Sequence, residues 1–194
     1  MTEVSHVRLQ VPDQATLSRI LREGGAQAFP QWLYAEPGPE ARFMWWGVRD
    51  PRGVGAVPAH DDPRYGLFPQ LVDDWTDPPR ALFLVTADAE RAAQDLEPVI
   101  GSKWHPAGED AVLGATCRRM RLGRGELVLT EPAGEGYALD CLARFGEGPL
   151  AVALDGTSAG GRPVSSNPVT RGAAVWVRLG MSATSPSVLF LPAA

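Results

Sequence analysis

Three side chains could move a proton: His6, Glu126 and Asp155. A positioned acid or base of this kind speeds a reaction by about 10²–10⁴-fold. His6 opens the alternating run His6-Val7-Arg8-Leu9-Gln10-Val11. On a strand, alternation puts His6, Arg8 and Gln10 on one face and the three apolar residues on the other. By the same rule Glu126 shares a face with Val128 and Thr130, and Asp155 with Ala151 and Ala153. Arg178 shares a face with Trp176, and its guanidinium suits a carboxylate or a polar carbonyl. Each of these residues also has a structural explanation. His6 could be a hydrogen-bonded strand histidine, and Asp155 a cap at a strand end, like Asp13 and Asp88.

These residues need strands to present them. Residues 6–13 (HVRLQVPD) and 81–88 (ALFLVTAD) are two such strands, each ending in Asp. After Asp13, Leu17, Ile20 and Leu21 recur at helical spacing, with Gly24-Gly25 as a stop. After Asp88, Ala92, Ala93 and Leu96 do the same, with Pro98 and Gly101 closing the helix. Further strands are expected at 42–49, 115–122, 126–130, 150–155, 173–179 and 188–191. Gly123-Arg124-Gly125 fits a tight hairpin turn. Residues 50–79, rich in Pro, Gly and Asp, read as a long loop over a site. The pattern predicts an α+β fold, with helices on one face of a mostly antiparallel sheet.

Alternation assigns Val7, Leu9, Val11, Leu82, Leu84, Leu127, Leu129, Val152, Leu154, Leu189 and Leu191 to the helix face. It leaves Phe83, Val128, Thr130, Ala151, Val188 and Phe190 for the other face. Trp45 and Trp46 are adjacent, so one ring points to each side, and Trp46 is a candidate ligand wall with Trp176. Trp32, Trp75 and Trp104 lie in loop-like stretches and could stack on a planar ligand or pack in a core.

The composition narrows the partners. A net charge of −5 argues against nucleic acid, which favours a basic face. No run of 18 apolar residues could span a membrane, and the N-terminus does not read as a signal peptide, so a cytoplasmic protein is expected. Cys117 and Cys141 match no metal or redox spacing and read as buried thiols. There is no phosphate-binding glycine loop and no G-x-S-x-G elbow.

The segment 126–155, ELVLTEPAGEGYALDCLARFGEGPLAVALD, resembles the joint between two modules of the vicinal oxygen chelate (glyoxalase/bleomycin-resistance) superfamily. The resemblance implies paired, degenerate βαβββ modules forming a curved sheet around a ligand cavity. It is good over 80–155 and poor over 26–79. It divides one body into a divergent N-terminal module, 1–79, and a region 80–194 that holds the joint. The positions where the family carries metal ligands are Ala81, Val128, Ala151 and Val188 or Phe190, with only His6 able to donate a lone pair. No metal and no cofactor is therefore expected.

The resemblance implies a small-molecule partner and allows a homodimer. Two functions follow from it. One is a metal-independent isomerase, lyase or cyclase acting on an apolar molecule, such as a natural-product intermediate. There His6, Asp155 and Glu126 would be catalytic, and Arg8, Gln10, Trp46, Phe83, Val128, Thr130, Ala151, Trp176, Arg178 and Phe190 would contact substrate. The other is a drug-sequestering protein of the bleomycin-resistance type.

Overall fold

The structure, a computed structural model, describes residues 3–23, 30, 32–49, 79–155, 163–164, 174–178 and 187–191. Within these, the side chains of His6, Trp45, Trp176, Arg178, Val188 and Phe190 lie outside the description, as do Gly24, Gly25, Trp75 and all but the last residue of the expected loop at 50–79.

Strand β1 (Glu3–Val11) runs into helix α1 (Gln14–Glu23). The Asp13 carboxylate starts that helix by accepting from the backbone N–H of Ala15 and of Thr16. Strands β2 (Leu33–Pro37) and β3 (Arg42–Arg49) complete a three-stranded sheet of order β2-β1-β3. Strand β4 (Ala81–Val85) leads into α2 (Ala89–Ile100), capped by Asp88 through the Arg91 N–H and closed by Gly101 at φ 74°. Strands β5 (His105–Asp110), β6 (Ala115–Leu122) and β7 (Gly125–Pro132) follow. Then come α3 (Tyr137–Phe145), β8 (Gly148–Asp155), β9 (Pro163–Val164), β10 (Ala174–Arg178) and β11 (Ser187–Leu191).

The large sheet has the order β5-β6-β7-β4-β8-β11-β10-β9. Its halves repeat one plan. In each, the first strand lies parallel to the last (β4 with β7, β8 with β11), and the other two extend outward. The halves meet where β4 pairs antiparallel with β8. The expected α+β architecture of paired βαβββ-like modules is present.

Two cores flank this sheet. On the helix face, Val7, Leu9, Val11, Leu82, Leu84, Leu127, Leu129, Val152 and Leu154 pack with α1, α2, Trp32, Trp46 and Trp104. All nine strand residues are ones that alternation assigned to this face. On the inner face, Ala81, Phe83, Val85, Val128, Ala151 and Ala153 pack with Tyr137, Ala138 and Cys141 of α3.

Four elements had no clear signal in sequence. Strands β2 (LYAEP) and β5 (HPAGED) carry proline and charge, and both lie at sheet edges, where an unpaired side tolerates them. Strand β9 has two residues. Helix α3 falls within the segment 126–155 that carries the family resemblance. The hairpin turn is Gly123-Arg124 alone, since Leu122 already pairs with Gly125. Gly125 sits inside β7 because a Cβ there would lie 2.3 Å from the Pro79 carbonyl oxygen.

Candidate functional site

Cross-strand partners share a face, so register assigns each residue. Ser187 pairs with Ala151 and Leu189 with Ala153, which places both on the inner face. Phe190 then lies opposite Leu154 and Val188 opposite Val152, on the helix face. This corrects the assignment of Phe190, Val188, Leu189 and Leu191 by one residue. The run VLFL is apolar throughout, so alternation carries no phase there, and one residue of slip exchanges the faces. Trp176 pairs with Leu189 and Arg178 with Ser187, so both occupy inner-face positions.

Trp46 requires a second correction. It pairs with Val7 and is fully buried in the helix-side core, so it is no ligand wall. Trp32 and Trp104 are core residues too. Adjacent tryptophans cannot tell a reader which ring turns inward; the β1–β3 register decides it.

The other expected site residues fall into three groups. Phe83, Val128 and Ala151 have no exposed surface and form the seat of α3. Thr130 is equally buried, and its hydroxyl donates to the Leu84 carbonyl at 2.9 Å. The two carboxylates lie at the opposite end of the sheet. Glu126 is 3.9 Å from Arg119 and Asp155 is 3.5 Å from Arg80. His105, on β5, pairs in register with Arg119 and adds an exposed imidazole to that flank. Arg8 and Gln10 form the third group, on the small sheet. Arg8 lies 3.7 Å from Glu36, and the Gln10 amide donates to Glu36 at 3.4 Å while its oxygen accepts from Arg42 Nε at 3.0 Å.

A metal does not fit the family's ligand positions. Ala81, Val128 and Ala151 have no lone pair to give, and Glu126 faces Arg119. Among the described residues no three His, Cys, Asp or Glu converge.

The described cavity lies elsewhere on the inner side, beside α3. It is a cleft of about 150 Å³ between β3, the end of α3 and the start of β8. Its walls include Phe43, Met44, Val85, Tyr137, Phe145 and Leu150, with Arg42 and Glu147 as the charged members. Two β-bulges shape it. Arg8 pairs with Trp45 and Leu9 with Phe43, so Met44 is an extra residue in β3. Phe83 pairs with Ala151 and Leu84 with Pro149, so Leu150 is extra in β8. A bulge bends its strand and re-aims one side chain, and both bulged residues line this cleft.

The polar atoms of the cleft differ in their freedom. Glu147 accepts from the Thr86 hydroxyl at 2.7 Å and the Ala87 N–H at 2.8 Å. The Tyr137 hydroxyl donates to the Leu150 carbonyl at 3.3 Å. Beyond the cleft's lining, the Arg144 guanidinium on α3 pairs with Glu40. Arg42 gives its Nε to Gln10, and among the described residues no carboxylate meets it. Outside the cleft, in the core beneath α3, burial first and then the nearby Asp110 charge push the Cys117 thiol up to about 12. Sequence reasoning placed Arg42–Arg49 on a strand but missed this site, because bulges leave no trace in apolar periodicity.

A triple mutant of 4-hydroxymandelate synthase from Streptomyces coelicolor matches 97% of this chain and 91% of its own, with a TM-score of 0.62 at 12% identity. The fold is that of the vicinal oxygen chelate superfamily. Methylmalonyl-CoA epimerase from Mycobacterium tuberculosis is similar over 60% of this chain and 88% of its own, at 14% identity and a TM-score of 0.49. A methylmalonyl-CoA epimerase in complex with methylmalonyl-CoA and NH4+ is similar over 59% and 94%, at 14% identity and 0.48. These vicinal oxygen chelate neighbours are enzymes, and the last is bound to a small molecule. No family model matches the chain, and no curated protein does. No helix among the described residues is long and apolar enough to cross a membrane.

Proposed function

We propose that this protein, with its vicinal oxygen chelate fold, holds an organic small molecule in the cleft between Met44 and Leu150, without a metal ion. The observation that carries this is the convergence of two bulges on one hollow that mixes apolar side chains with polar groups. A hollow of about 150 Å³ accepts a group the size of one six-membered ring. Its described acid–base groups hold structural bonds: Glu147 Oε1 fixes the turn before α2, and the Tyr137 hydroxyl meets the Leu150 carbonyl. That favours holding a ligand, as in drug sequestration, over turning it over. Benzamide is a suitable neutral probe. It should raise the melting temperature of the wild-type protein with concentration. Met44→Trp, which fills the hollow, should remove the rise. An equal rise in both proteins would sink the proposal.

A second reading is a metal-independent isomerase, lyase or cyclase working on the carboxylate flank of the sheet. Glu126 favours it, as the one described carboxylate on the inner face that lies between Arg119 and the small floor of Ala81 and Ala153. Any substrate turned over by chelator-treated wild type should be turned over far more slowly by Glu126→Gln. Unchanged turnover in that variant would exclude Glu126 as the acid or base.

A further inference from the structure

We infer that the ligand is a carboxylate, and that Arg42, held in place by Gln10, is its anchor. This rests on the cleft being the binding site. The argument starts from the polar relay on the small sheet. Arg8 neutralises Glu36 at 3.7 Å, Glu36 accepts from Gln10 Nε2, and Gln10 Oε1 accepts from Arg42 Nε. Both ends of the Gln10 amide are used in the sense their chemistry requires, donor to carboxylate and acceptor to guanidinium. The relay thus spends its one carboxylate, Glu36, on Arg8 and brings a neutral oxygen to Arg42. Arg42 keeps its full charge.

The guanidinium's other edge has no carboxylate among the described residues, although two lie nearby in the fold. Glu40 pairs with Arg144, and Glu147 accepts from Thr86 and Ala87 through Oε1. Arg42 is half-buried and lines the cleft with Phe43, Phe145 and Leu150. A fixed, half-buried guanidinium at the edge of a small hollow walled in part by Phe43, Phe145 and Leu150 matches a carboxylate on a ring or short branched chain. The two N–H groups of such an edge can meet both carboxylate oxygens. Gln10 is then a positioning residue: by holding Nε it fixes the direction of the free edge.

The test is calorimetric titration of benzoate and of its neutral isostere benzamide into wild type, Arg42→Gln and Gln10→Ala. Wild type should prefer benzoate. Arg42→Gln should weaken benzoate about tenfold or more and leave benzamide unchanged. Gln10→Ala should lower the benzoate-to-benzamide ratio by a smaller factor; a merely structural role would weaken both probes alike. Benzamide bound as tightly as benzoate, with Arg42→Gln changing neither, would overturn the anchor and leave the cleft standing. No binding of either probe to wild type would overturn both.

Discussion

Cys117 shows how far the inner face is a true core at the scale of one residue. Its thiol is held at about 12 by burial and by Asp110, against an ordinary value of 9.0. The folded state keeps this proton while the unfolded chain loses it. The associated stability is therefore complete below pH 9 and is lost as pH rises toward 12. Chemical denaturation at pH 7 and pH 10.5 should show an alkaline loss that is smaller in Cys117→Ala; an equal loss would mean the thiol is not buried. Glu147 is the second residue-scale case. From the turn just before strand β8, some 60 residues away in sequence, it closes the turn before α2 by accepting two hydrogen bonds. Hydrogen bonds to a charged group contribute about 1.5–3 kcal/mol, so Glu147→Ala should lower urea stability by about that amount. A change near zero would contradict the latch. Sequence showed the polar alternation of Arg8 and Gln10 plainly. It could not show that their work is to orient Arg42, because that depends on strands joined only through β1–β3 pairing.

At the scale of elements, the legible parts were those with a clear phase. Strands β4 and β6, and helices α1 and α2 with their Asp caps, follow from alternation, helical spacing and capping chemistry. Strand β11 did not, since a strand apolar on both faces has no phase to read. Helix α3 changes the meaning of the inner face most. It seats Tyr137, Ala138 and Cys141 on Phe83, Val128 and Ala151, so the apolar row that suggested a ligand wall is packed. Phe83→Ala should then cost about 3–5 kcal/mol of stability, as for a buried aromatic. A loss under about 1 kcal/mol would fit an open ligand wall instead. Gly125→Ala offers a matched pair with Gly134→Ala. The first drives a Cβ into the Pro79 carbonyl and should cost about 1–3 kcal/mol by overpacking, while the second meets nothing within 4 Å and should be near neutral.

At the scale of the molecule, one fold serves two different sheet ends. The end under α3 is packed, and its margin opens into the cleft beside the small sheet. The far end carries Glu126, Asp155, Arg80 and Arg119 in two ion pairs. The fold was legible from the joint at 126–155, while the cleft needed the small sheet, whose later strands fall where the resemblance is poor. The most direct test is mapping backbone amide shifts while benzoate is added to the wild-type protein. The account expects the shifts to gather at Arg42–Met44 and Tyr137–Leu150. Shifts gathered instead at His105, Arg119 and Glu126 would contradict it.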